Sequence, residues 1–115
     1  MNYDKLTVKA QNVIQDATSL LHEYNHSSLE PEHLLLAMVR QEDGVIPPLL
    51  NRLGVSPHEI DTGVETMLKR KPKIYGDSQQ MNLSKASGRV LSQAEKEAGE
   101  LHDEYTSTEH LLLAM

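Results

Sequence analysis

The heptapeptide EHLLLAM at residues 32–38 returns unchanged at residues 109–115. The two copies lie 77 positions apart, and the same offset pairs Leu6 with Leu83, Thr7 with Ser84, Val13 with Val90, Ile14 with Leu91, Ala17 with Ala94 and Glu23 with Glu100. No gap interrupts the register between Leu6 and Met38. Self-similarity of this extent marks an internal duplication and takes precedence over shorter motifs. Each unit reads as a long helix, a turn, and a second helix opening on Glu-His-Leu-Leu-Leu. One such unit leaves an apolar face uncovered, and two related by a pseudo-twofold bury those faces against each other. The expected division of a single domain over residues 1–115 is a first repeat at about 4–72, a connector at 73–82 and a second, incomplete repeat at about 83–115.

The remaining pattern is helical throughout. Ala10, Val13, Ile14, Ala17, Leu20 and Leu21 recur at helical spacing behind Thr7, a good N-cap, and predict a helix from about Val8 to Tyr24. Pro31 suits the first position of a second helix, where no amide donor is needed. VIPPLLNRLG predicts a third helix stopped by Gly54, and Ser56 to Glu59 form a capping box that opens a fourth, with Ile60, Val64, Met67 and Leu68 inward. Ser84 caps a fifth, with Ala86, Val90, Leu91, Ala94 and Ala98 inward. Thr106 to Glu109 read as a further capping box before a sixth. No strand pattern appears, so the predicted class is all-α.

Composition narrows the chemistry. The chain has 115 residues and contains no Phe, Trp or Cys, so its core is Leu, Ile, Val, Ala and Met. Without cysteine there is no disulfide, thiolate or Cys-type zinc site. The formal charge of −6 disfavours nucleic acid and anionic membrane as partners. The one basic cluster, Lys69, Arg70, Lys71 and Lys73, suits a helix C-terminus and has no interleaved aromatic residue to stack on bases. The apolar run LLLAMV is far too short to span a bilayer, and the start lacks signal-peptide character. A cytoplasmic location is expected.

HEYNH at residues 22–26 matches H-E-x-x-H, in which two histidines one helical turn apart hold zinc and the glutamate activates water. Its context argues against that use. Asn25 is a helix-stop residue, so the second histidine falls in a turn. The duplicated copy carries Gly99 and Asp103 in place of His22 and His26, and no third ligand is implied by spacing. The expectation is a solvated helix end and no metal. A phosphate loop of the G-x-x-x-x-G-K-[ST] type is absent from the sequence.

LTVKAQ, then EPEHLLLAM, QEDG, PPLLNRLGV, KPKIYG and finally DEYTSTEHLLLAM resemble, in this order, the amino-terminal domain of the Clp/AAA+ unfoldases. The disaggregase type is matched better than the type that feeds a protease. The resemblance implies an all-helical domain of about eight helices in two pseudo-symmetric halves, of which this chain holds the first half and the opening of the second. It implies a non-catalytic client-binding module that captures unfolded or aggregated polypeptide for an ATP-driven AAA+ ring, hexameric at full length. The alternative is an adaptor-docking or regulatory module of a protease-feeding unfoldase. No cofactor is implied for this chain; ATP and Mg²⁺ belong to the AAA+ modules. The family's functional polar surface falls on Thr7, Asp103 and Glu109, and its apolar client groove on Val90 and Leu91. Gln93 and His110 stand where some relatives carry leucines, which weakens that groove. Bottom-up, Thr7 is also a helix cap worth about 1 kcal/mol, and Glu109 is an acid suited to a first helical turn.

Overall fold

The computed structural model describes residues 3–74 and 82–115. A 3-10 turn at Tyr3–Lys5 leads into α1 (Val8–Glu23), β1 (Ser28–Leu29), α2 (Pro31–Arg40), α3 (Ile46–Arg52) and α4 (Pro57–Arg70). The second part holds β2 (Asn82–Leu83), α5 (Lys85–Glu100) and α6 (Thr108–Ala114). The expected connector begins at Lys73 and Ile74 and ends at Asn82; its residues 75–81 lie outside the described residues.

The helix starts follow their capping chemistry. Thr7 Oγ1 accepts the Ala10 amide at 3.2 Å, and Ser84 Oγ accepts the Ser87 amide at 3.0 Å. Ser56 Oγ accepts the Glu59 amide at 3.3 Å, which is half of the predicted box. Each such bond satisfies one of the orphan donors at a helix N-terminus. The sixth helix departs from expectation, since its cap is Ser107 and not Thr106. Thr106 is instead buried and paired in extended conformation with Leu6.

The ends of α1 and α5 share one device. Asn25 and His102, related by the 77-residue offset, both adopt positive φ, 57° and 59°. The amides behind them close the same wide turn: His26 N–H donates to the Leu21 carbonyl at 3.0 Å, and Asp103 N–H to the Ala98 carbonyl at 2.8 Å. This is the left-handed helix stop usually given to glycine or asparagine. Histidine at the second copy carries the steric cost of that conformation. Replacing exposed His102 with glycine is therefore expected to raise stability by up to about 1 kcal/mol, after glycine's own entropic loss. A thermal melt showing no gain would mean that the ring has contacts that offset the strain.

Strands are the element the sequence did not predict. β1 and β2 pair in parallel, with Ser28 opposite Asn82 and Leu29 opposite Leu83. Two residues each are too few to generate an alternating pattern, and tertiary juxtaposition creates them. Their arrangement obeys the repeat. Leu83 N-terminal to α5 lies against Leu29 in the first turn, and Leu6 N-terminal to α1 lies against Thr106 in the second. The next amides match too: Ser84 N–H to the Leu29 carbonyl at 3.2 Å, and Thr7 N–H to the Thr106 carbonyl at 3.0 Å. The lead-in of each repeat is thus stitched to the turn of the other.

The core gathers offset mates. Val13 and Val90, Ala17 and Ala94, and Leu34 and Leu111 are all buried. Ser87 replaces Ala10 and stays buried by donating its hydroxyl to the Leu29 carbonyl at 2.7 Å. Two expected core positions turn outward: Met67 on α4 is 53% exposed, and Ala86 on α5 is exposed. Each sits at the margin of its helix's apolar stripe.

Identical sequence meets different surroundings in α2 and α6. Helix α2 packs against α1, α3, α4 and α5, whereas α6 packs mainly on α5 with a smaller contact to α1. Leu36 is fully buried, but its mate Leu113 is 66% exposed.

Candidate functional site

The histidines of the two EHLLLAM copies organise two equivalent corners. In each, the ring at the third helical position reaches back to the N-cap amide. Glu30 N–H donates to His33 Nδ1 at 2.9 Å, and Ser107 N–H to His110 Nδ1 at 2.8 Å. This fixes the tautomer, so the proton of each neutral ring is on Nε2. That Nε2 meets the residue just past the preceding helix stop. His33 Nε2 lies 2.8 Å from His26 Nδ1, and His110 Nε2 lies 2.9 Å from Asp103 Oδ2. His26 and Asp103 are themselves offset mates.

The corners differ in electrostatics. In the first, both rings are buried, and Tyr24 stacks on His26 with centroids 5.6 Å apart. Burial, then the mutual repulsion of the two rings, pushes His33 down to about 4. Burial also lowers His26, opposed by the nearby Leu68 carbonyl. Among the described residues His26 Nε2 completes no hydrogen bond. In the second corner the partner is a half-exposed carboxylate, and the pair opens on a groove lined by Leu101, Glu104, Tyr105 and Glu109.

His26 is therefore not the solvated residue expected from HEYNH. It turns inward past Asn25 while His22 stays on the exposed side of α1. Among the described residues no three His, Asp or Glu side chains converge as a metal site. The second corner also brings Ser107 Oγ to 2.9 Å from His110 Nδ1, in the order Ser–His–Asp. It is not set up for nucleophilic catalysis. The Nδ1 lone pair already accepts the Ser107 amide, and Ser107 Oγ accepts the His110 amide as the helix cap.

The five residues singled out from the sequence fall in three places. Asp103 and Glu109 line the same groove, and Thr7 is tied to that corner through its amide bond to Thr106. Val90 lines a different, mainly apolar groove with Pro31, Leu35 and Ala86, edged by Glu32 and Arg89. Leu91 points into the core at 8% exposure. Leu101 and Tyr105, exposed beside Asp103, were not anticipated. The only sequence signal for them is two large apolar residues in a segment predicted to be a turn. Lys71 leaves the basic cluster to pair with Glu32 at 3.0 Å, and Lys69 pairs with Glu65 at 2.8 Å.

These features define an all-helical domain built as a crossed pair of repeats. A family model described as the Clp repeat (R) N-terminal domain matches residues 5–115, and the chain belongs to that family. The chaperone protein ClpB of Clostridium tetani is 34% identical over 118 residues, covering 100% of this chain and 14% of that protein. The chain thus spans about one-seventh of such a relative, 14% of its length. The N-terminal domain of Hsp104 from Candida albicans superposes with a TM-score of 0.87 at 26% identity, over 96% of this chain and 72% of that one. A ClpV N-domain, solved in complex with a VipB peptide, superposes at 0.84 with 18% identity, over 97% and 68%. The chain is a Clp N-domain, the N-terminal module type of Clp/AAA+ chaperones such as ClpB. Among the described residues no helix is long and apolar enough to cross a membrane.

Proposed function

We propose that this chain is the non-catalytic client-binding module of a ClpB-like, ATP-dependent disaggregase, presenting unfolded or aggregated polypeptide to an AAA+ ring. The observation that carries this reading is the groove between the starts of α2 and α5. Its floor of Pro31, Leu35, Ala86 and Val90 is apolar, and Glu32 and Arg89 stand at its edge. Such a surface suits a short apolar segment held weakly, with the charged pair orienting the backbone. Weak capture is adequate when several copies act on one ring. The ClpV N-domain solved with a VipB peptide supports peptide binding as a use of this fold.

A second reading is adaptor docking. It is favoured by the separate corner at Thr7, Asp103 and Glu109, where acids stand beside exposed Leu101 and Tyr105. That mixture of charge and fixed apolar groups suits a folded partner.

An amide NMR titration with a reduced, alkylated model polypeptide separates the two. Client capture predicts shifts at Leu35, Ala86, Arg89 and Val90 that saturate in the millimolar range or below. A spectrum that stays still at millimolar polypeptide removes the client role from this chain and leaves the acidic corner for docking.

A further inference from the structure

The first corner has no place for an added proton. His33 Nδ1 accepts from Glu30, and His26 Nδ1 accepts from His33 Nε2–H. The two remaining positions, His33 Nε2 and His26 Nε2, already carry hydrogen in the neutral tautomers. Protonating either ring therefore breaks either the cap of α2 or the bond between the rings. In the second corner an added proton on His110 Nδ1 also displaces the Ser107 amide. The charged ring there keeps an acceptor on each side, Asp103 Oδ2 at Nε2 and Ser107 Oγ 2.9 Å from Nδ1, and so stays in place.

The pair also sits where several elements meet. His26 immediately precedes the segment that pairs with β2, and the amides of Asn82 and Ser84 donate to the Ser27 and Leu29 carbonyls. Ile74 N–H, past the end of α4, donates to the Asn25 carbonyl at 2.8 Å. The charged groups facing the rings are Glu30 and Glu32 from α2 and its cap, and Lys71 and Lys73 from the end of α4. Glu32 is already engaged by Lys71. The Glu30 carboxylate is engaged as well, accepting the His33 amide as the cap of α2, and the lysines oppose a further positive charge. Tyr24 contributes an uncharged stacked ring.

We propose that the His26–His33 pair is an acid-sensitive latch: neutral, it fastens the α1–α2 turn to the start of α2, the β1–β2 ladder and the chain after α4, and proton uptake opens this corner while the Asp103–His110 corner stays closed. The device is regulatory. It lets mild acid loosen one side of the domain, next to the groove edged by Glu32, without unfolding the other.

The test measures amide protection by hydrogen exchange on the intact chain between pH 7 and pH 5, with the histidine ring signals followed in parallel. Protection at Glu30, Ile74 and Ser84 is expected to fall on the order of tenfold. Protection at Thr7, whose amide makes the matching ladder bond in the other corner, is expected to hold. His26→Asp writes the second repeat's pair into the first and is expected to keep Ile74 and Ser84 protected, because the carboxylate holds the charged His33 in place. His33→Gln offers an amide oxygen to Glu30 N–H and an amide N–H to His26 Nδ1, with nothing on its own side chain to titrate, and is expected to reduce the fall, since His26 is then the one ring of the pair left to take a proton. An equal loss in both corners of the unmodified chain overturns the latch. So does a loss at Ile74 and Ser84 that is undiminished in whichever variant folds.

Discussion

Leu34→Ala is expected to cost about 4 kcal/mol of unfolding free energy, and the equivalent Leu111→Ala nearer 2–3 kcal/mol. Both side chains have zero exposure and occupy the same place in the repeated heptapeptide. The transfer free energy lost is the same in each case, so any difference comes from the cavity left behind. Leu34 sits on a helix enclosed by α1, α3, α4 and α5. Leu111 sits on a helix packed chiefly against α5, with its own neighbour Leu113 largely in solvent. A short helix with one free side can shift to close part of the void. Urea unfolding of the two variants measures the difference directly. Equal costs, or a larger cost at Leu111, would show that enclosure by neighbouring helices does not set the penalty.

Stability is expected to fall by about 2 kcal/mol on going from pH 7 to pH 5 through His33 alone. His33 has an ordinary value near 6.5 in the unfolded chain and is held down to about 4 in the folded one. The unfolded chain therefore binds the proton more readily between these limits. The contribution is fully present above about pH 6.5 and is lost progressively as the pH falls towards 4. Below that both states are protonated and no further change arises from this residue. His26 shifts in the same direction and adds to the slope. The measurement is the urea midpoint across this range for the unmodified chain and for His33→Gln, whose curve should be markedly flatter. Parallel curves would place the acid sensitivity elsewhere.

The helices were legible because their signals are local. Thr7, Ser56 and Ser84 cap where polar residues precede apolar periodicity, and Gly54 stops α3 at φ 78°. The crossed ladder was not legible, because Leu29 and Leu83 are extended only through each other. The buried histidine pair was hidden for a related reason. His26 follows a helix stop, which ordinarily points to solvent, and its partner lies seven residues on across a turn. Aligning the repeats placed Asp103 opposite His26 and His110 opposite His33, which was the available hint of a recurring contact. The groove was half legible. Val90 lines it, but the adjacent Leu91 belongs to the core, a distinction made by the rotation of α5 and the helices packed on it. Burial of the EHLLLAM segment was beyond local reading altogether, since identical residues meet different neighbours.

The stitching of each lead-in to the other repeat's turn has a consequence for biosynthesis. Leu6 is among the first described residues to be made, and its partner Thr106 is among the last. As the chain emerges from the ribosome, the first repeat can form its helices but cannot close its own edge until nearly all the described chain has been translated. Contacts this distant in sequence also slow folding, because the intervening chain must be ordered before they form. The nascent first repeat therefore spends its synthesis with Leu6 uncovered. A domain proposed to recognise unfolded polypeptides would itself pass through that condition each time it is made.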